Sequence, residues 1–271
     1  MHTPHANDTR TSKGSLYLVP TPLDFGCTPE QQSPITQALP EHTLQVAATL
    51  THWITENAKS TRAFLKRVQG HTPLAQPLQS LSVVELPRDV HKKGDHAGSP
   101  GGGFDARPLL APALAGHDMG LTSEAGMPAV ADPGSSVVRA AHAQGIAVHV
   151  LSGPVSLVLA LAASGLSGQQ FAFVGYLPQD GTARATRVRE LEALALKTGQ
   201  TQIFIETPYR NTALLQALLQ TLKSDTRLAV SCGLMVTSAG HHTNFSAPVS
   251  GWRGRVPPLN WALPAVFLIG P

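Results

Sequence analysis

The sequence predicts an α/β protein built from two domains, and three observations carry that prediction. From residue 118 onward, short apolar runs alternate with longer amphipathic stretches, the pattern of strands and helices in layered, largely parallel sheets. The chain has 271 residues, above the roughly 100–200 of a typical domain. Hydrophobic residues make up 42% of it, enough to bury sizeable cores. The domain boundary is expected near Ser152-Gly153, giving a tail at 1–14, a first domain at 15–152 and a second at 153–271.

The elements follow in order. Residues 1–14 are polar and read as a disordered tail. Residues 15–20 read as a buried strand that ends in the Pro-rich loop Pro20-Thr21-Pro22-Leu23-Asp24. A strand over 52–55 ends at Glu56-Asn57. A helix follows over 58–69, with Phe64, Leu65 and Val68 on one face. Residues 81–86 form another short apolar strand. Strands are then expected at 118–122, 146–150, 171–174, 202–205, 227–231 and 265–269. Helices are expected at 135–144, stopped by Gly145, at 154–164, 182–196 and 210–222. The helix at 154–164 has Pro154 in its first turn and Gly165 after its last, the usual asymmetry of helix ends. No internal repeat is present.

Between residues 92 and 104 the composition changes. The stretch Lys-Lys-Gly-Asp-His-Ala-Gly-Ser-Pro-Gly-Gly-Gly-Phe has five glycines and almost nothing to bury, so it is expected to be a mobile surface insertion. A phosphate cradle at Gly101-Gly102-Gly103 would need a strand leading in and a Lys-Ser/Thr following, and neither is there.

The formal net charge is +3 and the pI about 9.0, a balance compatible with an anionic partner such as RNA, although no run of Lys or Arg concentrates it. Cys27 and Cys232 lie far apart without metal-ligand spacing and read as free thiols in a reducing compartment. No metal site is expected. The amino-terminal residues lack the apolar core of a signal peptide, and the longest apolar run, 157–163, is far short of the ~20 residues that span a bilayer. A cytoplasmic protein without membrane attachment is the expectation.

Four segments can carry chemistry. The first is residues 121–135, where a strand runs into a loop with Ala125-Gly126 and Pro128. A second turn, Asp132-Pro133-Gly134, then leads into a helix capped by Ser135. Small residues at a strand's carboxyl end let a ligand approach the backbone, and the prolines preorganise the loop. An ordinary strand–helix connection would also use this turn chemistry, and both readings stand at this point. The second segment, Gly153-Pro154-Val155-Ser156, opens a helix whose free N–H groups could face an anion or simply begin a helix. The third is the strand end Phe173-Val174-Gly175-Tyr176-Leu177-Pro178. The fourth is Ile205-Glu206-Thr207-Pro208-Tyr209-Arg210, in which Glu206 and Arg210 could pair with each other.

These segments, in this order, resemble the tetrapyrrole methylase superfamily, and within it the branch of small-subunit ribosomal RNA 2′-O-ribose methyltransferases. That branch carries Ser-Asp-Ala-Gly-Thr-Pro, Ser-Asp-Pro-Gly, a Gly-Pro helix ending Ser-Gly-Leu, Phe-x-Gly-Phe-Leu-Pro and Tyr-Glu-Ser-Pro-x-Arg. Here they correspond to residues 123–128, 131–134, 153–166, 173–178 and 205–210. The opening Leu16-Tyr17-Leu18-Val19-Pro20-Thr21-Pro22 is similar to the family's first strand and loop. Glu124 and Met127 replace the usual Asp and Thr, and Glu56-Asn57-Ala58-Lys59-Ser60-Thr61-Arg62 replaces Glu-Asp-Thr-Arg.

The resemblance implies two α/β domains with a cofactor cleft between them, a homodimer, and S-adenosylmethionine held largely by backbone groups. The implied cofactor contacts are Pro20, Thr21, Pro22, Ser123, Glu124, Ala125, Gly126, Met127, Pro128, Ala131, Asp132, Pro154, Ser156, Leu234, Met235, Pro264 and Ala265. The implied reaction is in-line methyl transfer, in which a ribose hydroxyl needs a proton acceptor; Glu56, Glu124, Asp132 and Glu206 are the candidates. RNA contacts are expected at Arg210 and on the helix 182–196, where Arg184 and Arg187 share a face near Arg189. Glu190 and Glu192 would partly neutralise that face, which could equally be a solvated one. A tetrapyrrole or other small molecule as substrate, or a binding protein without catalysis, are the alternatives.

Overall fold

The computed structural model describes residues 12–24, 26–87, 89–90, 95, 104–236 and 243–271. They divide into two compact units. The first takes the chain up to Pro22 and Ile35–Gly153; the second takes Leu23–Pro34 and Pro154–Pro271.

The first unit is a five-stranded sheet in the order β3-β2-β4-β1-β5, from β1 Leu16–Leu18, β2 His52–Thr55, β3 Ser82–Glu85, β4 Met119–Thr122 and β5 Val148–Val150. Every pairing in it is parallel. Such sheets are covered on both faces, so the central strand β4 is buried at all its positions. Helices α1 Ile35–Ala38, α2 Glu41–Thr49 and α3 Ala58–Gln69 contribute Ile35, Leu44, Ala47, Phe64, Leu65 and Val68 to a core with Trp53. Helices α4 Ala111–Leu114 and α5 Ser135–Ala143 contribute Ala113, Val137, Ala140 and Ala141 to a second core with Leu16, Ile54 and Leu121. Gly120 is required where it stands, because a Cβ there would lie 2.5 Å from the Trp53 ring. Asn57 starts α3, its Oδ1 accepting the N–H groups of Lys59 at 2.9 Å and Ser60 at 3.2 Å.

The second unit is a sheet in the order β6-β7-β10-β8-β9, from β6 Phe171–Tyr176, β7 Thr201–Glu206, β8 Arg227–Cys232, β9 Asn244–Pro248 and β10 Ala265–Gly270. Helix α6 Ser156–Ser164 packs Leu157, Ala160 and Leu161 on one face. Helices α7 Gly181–Thr198 and α8 Asn211–Thr221 pack Val188, Leu191, Leu214 and Leu218 on the other, together with Trp252 of α9 Val249–Gly254. Gly165 and Gly199 end α6 and α7 in the left-handed region, at φ 71° and 73°, where a Cβ would be strained.

Several sequence expectations need correction. The second sheet is not largely parallel: only β6 and β7 pair that way, and β10 runs antiparallel to both β7 and β8. Helical crossovers impose parallel pairing, and among the described residues none joins β8 to its antiparallel partner β9. Helices α1 and α2 fill a stretch for which the sequence pattern predicts nothing, since α2 is short and its apolar stripe is weak. Glu192 is not on a solvated face; it is buried and accepts from Lys223 N at 2.8 Å and Thr226 Oγ1 at 2.6 Å. Finally, Ser135 does not cap α5. Gly134 occupies that position, and the carboxylate that caps the helix belongs to Asp95. The expected mobile insertion, 92–104, otherwise lies outside the described residues except for Phe104, which packs against the core around Leu110. The stretch, expected to have almost nothing to bury and to lie mobile on the surface, thus places Asp95 in a buried position and Phe104 against the core.

Candidate active site

In the first unit β1, β2 and β4 are neighbours and parallel, so the loops that leave their carboxyl ends open on one edge of the sheet. The chain leaves β1 toward β2 and leaves β4 toward β5, in opposite directions across the sheet. In open α/β sheets that divergence marks the place where ligands bind. The loop 20–22 and the loop 123–134 are tied together there. Thr21 N–H donates to Gly126 O at 2.9 Å, and Gly126 N–H donates to Thr21 O at 3.0 Å. The Thr122 hydroxyl reinforces the approach by donating to Val19 O at 2.9 Å.

The loop after β4 is strained. Gly126 has φ 80° and Gly134 φ 139°, and between them Ala129 and Ala131 both sit at φ 64°. Left-handed backbone costs a residue with a Cβ roughly 1–2 kcal/mol. A side chain on Gly134 would be strained at φ 139°, and its Cβ would crowd Ala129 and Leu121 at 3.2 Å. Strain held by the surrounding structure is characteristic of ligand loops. Glycine and proline marked the loop in sequence, whereas nothing about Ala129 or Ala131 announces their conformation.

Three of the candidate carboxylates meet at this edge. Glu124 N–H donates to Glu56 Oε2 at 3.3 Å. Asp132 is pushed up to about 7, first by burial and then by the Glu56 charge, with Glu124 adding to it. The nearby Ser123 hydroxyl opposes that rise. Ser123 is nonetheless a buried polar group whose Oγ makes no hydrogen bond of good geometry with any described residue. An orphaned buried hydroxyl is costly, and a polar ligand at the loop would satisfy it. The residues present thus fit a polar cofactor bound against 123–134.

The fourth carboxylate belongs to the second unit and is occupied. Glu206 Oε1 accepts from Thr207 N at 2.7 Å and from Arg210 Nε at 2.9 Å, and the pair is largely buried. Glu206 is therefore spoken for as an ion-pair partner, and Arg210 is held by it. Ala265 is paired in register with both Glu206 and Cys232, which brings Pro264 beside the turn after β8. Gly233 N–H donates to Pro264 O at 3.2 Å, and a Cβ on Gly233 would lie 2.3 Å from Leu263. Met235 sits at φ 63° and its carbonyl accepts from the Ser33 hydroxyl at 3.4 Å. Leu234, Met235, Pro264 and Ala265 thus form one group at one end of this sheet. Pro154 is buried and Ser156 half-buried at the start of α6. On α7, Arg187 pairs with Glu190 at 3.1 Å, Arg184 donates to Gln179 O at 3.4 Å, and Arg189 is exposed.

Comparison with known proteins identifies the family. The profile of the family described as Tetrapyrrole (Corrin/Porphyrin) Methylases matches residues 57–234. A protein named Ribosomal RNA small subunit methyltransferase I from Halalkalibacterium halodurans is 31% identical over 210 residues, covering 78% of this chain and 61% of that protein. Its namesake from Xylella fastidiosa is 31% identical over 201 residues, covering 74% and 61%. The namesake from Vibrio cholerae is 34% identical over 132 residues, covering 49% and 44%. The chain therefore spans less than two thirds of the length of these relatives.

Proposed function

The chain belongs to the tetrapyrrole methylase family, and from that premise we propose that it is an S-adenosylmethionine-dependent methyltransferase acting on ribosomal RNA at a ribose 2′-hydroxyl. The observation that carries the reading is the loop 123–134, strained, pinned to Thr21, and lined by the orphaned Ser123 hydroxyl. S-adenosylmethionine supplies a methyl group on a sulfonium, an already activated leaving group. What remains for the protein is alignment and deprotonation of the nucleophile. Alignment alone can supply up to about 7–11 kcal/mol.

Backbone groups of Ala125, Gly126, Met127 and Ala131, with the Ser123 hydroxyl, would hold the donor. Asp132 is the base. Its pKa of about 7 leaves it substantially ionised at neutral pH and still basic enough to take a proton from a hydroxyl as the bond forms. Glu56 and Glu124 tune it by like-charge repulsion. Glu206 is set aside, because its carboxylate already serves Arg210.

RNA as substrate is supported by the names of the relatives and by the basic balance of the chain. Among the described residues no helix is long and apolar enough to cross a membrane. A cytoplasmic homodimer completes the reading.

The test has two stages. Titration calorimetry with S-adenosylmethionine and S-adenosylhomocysteine should give saturable heat, and none with either would overturn the reading. Labelled methyl transfer to small ribosomal subunits from a strain lacking the gene should then mark one ribose. Binding without transfer to RNA would point to a small-molecule substrate or a protein without catalysis.

A further inference from the structure

Asp95 stands in a stretch whose composition predicts no structural role, yet it is one of the most heavily hydrogen-bonded carboxylates among the described residues. It is 5% exposed. Its Oδ2 accepts Gly134 N–H at 2.9 Å, Ser136 N–H at 2.8 Å and the Ser136 hydroxyl at 2.8 Å. Its Oδ1 accepts the Ser135 hydroxyl at 2.7 Å, and its carbonyl accepts from Arg139 at 3.0 Å. Burial alone would push this carboxyl up. The bonds from Ser136, Ser135 and Gly134 outweigh burial and hold it below the usual carboxylate range, so it is a charged anchor at neutral pH.

The target of these bonds matters more than their number. Gly134 is the last residue of the strained loop and also the cap position of α5, and it has no side chain to cap with. The loop has two fixed ends. Thr21 holds Gly126 at one, and Asp95 holds Gly134 at the other. Between them lie the left-handed Ala129 and Ala131 and the carboxyl of Asp132.

We propose that Asp95 is a positioning residue for the cofactor loop, a carboxylate supplied from the 92–104 stretch that locks Gly134 and α5 so that residues 126–132 keep their binding conformation. The inference rests on the methyltransferase reading for what the loop binds, and on geometry alone for the anchoring.

Asp95→Ala removes every side-chain bond. Asp95→Asn is the conservative rescue: its oxygen can accept from Gly134 and Ser136, while its amide donates to a rotated Ser135 hydroxyl. Both are compared with wild type, well below their melting temperatures, by calorimetry with S-adenosylmethionine and by amide hydrogen exchange. Asp95→Ala should weaken binding about tenfold or more and raise exchange across 129–136, with the Thr21 and Gly126 amides unchanged. Asp95→Asn should restore both to within about threefold. Unchanged exchange, or raised exchange with unchanged affinity, overturns the proposal, because a merely stabilising cap would lower the melting temperature and free the Gly134 and Ser136 amides without moving cofactor affinity. If wild type binds no S-adenosylmethionine, the methyl-donor reading fails. The exchange data then decide the anchor by themselves: raised exchange at residues 129–132, beyond the Gly134 and Ser136 amides that Asp95 itself bonds, sustains it, and exchange raised at those two amides only, or unchanged, overturns it. Should Asp95→Ala fail to fold, Ser136→Ala, which removes one bond, must show the same pattern in smaller amount.

Discussion

Replacing Asp132 by Asn separates stability from catalysis at one atom. The carboxyl is raised from 3.8 to about 7, a little over three pK units. At about 1.36 kcal/mol per unit, that corresponds to at most about 4 kcal/mol of native-state destabilisation once the group ionises. The side chain is only half-buried, and solvent screening brings the expectation to about 1–4 kcal/mol. The sign follows from proton binding. Between pH 3.8 and about 7 the folded protein keeps a proton that the unfolded chain has released, so stability falls as pH rises through this window. Asparagine mimics the protonated form and never ionises. Urea unfolding, followed by the fluorescence of the buried Trp53 and Trp252, should show the variant gaining on wild type between pH 5 and pH 8, by about 1–3 kcal/mol. Turnover should move the other way. Wild-type rate should rise through about pH 7 and level off, while the variant loses that limb and about 10²–10⁴ in rate. A stability gap that does not widen from pH 5 to pH 8 would refute the electrostatic account. Full activity in the variant would refute Asp132 as the base.

Three further outcomes are expected. Gly126→Val places a β-branched residue at φ 80°, so calorimetry should lose the S-adenosylmethionine signal while unfolding stays cooperative. Arg184→Gln with Arg187→Gln should leave cofactor affinity alone and flatten the log affinity against log salt slope for RNA by about 1.4, two phosphates at about 0.7 each; an unchanged slope removes α7 from the RNA surface. Light scattering at micromolar concentration should give twice the chain mass. Phe171→Glu with Phe173→Glu, which charges two exposed aromatics on the edge strand β6, should shift that mass toward the monomer; a wild-type monomer contradicts the dimer.

Much of the scaffold was legible in the residues. The apolar runs of β1, β2, β4, β7, β8 and β10 are dense enough to declare buried strands, and Asn57, Gly165 and Gly199 mark helix ends by their own chemistry. The loop 123–134 was visible for the same reason, since Gly126, Pro128 and Asp132-Pro133-Gly134 are turn residues. Where local signals are weak the pattern predicts no element: α2 lacks a strong stripe, and β9 is half-exposed on a sheet edge.

Periodicity, turn chemistry and caps depend on residues a few positions apart, and the sequence by itself determined those. Partnerships across long separations were decided only by the tertiary structure. Asp95 lies 39 residues from Gly134 and caps its helix only because the fold brings it there. Glu56 is 68 residues from Glu124, and the two raise Asp132 only after β2 and β4 align in parallel. The Glu206–Arg210 pair is the local counter-case: four residues apart, it is open to the sequence, and the structure forms it at 2.9 Å. The direction of β10 was equally hidden, because a buried apolar run reads the same in either direction and only its neighbours β7 and β8 fix which way it runs.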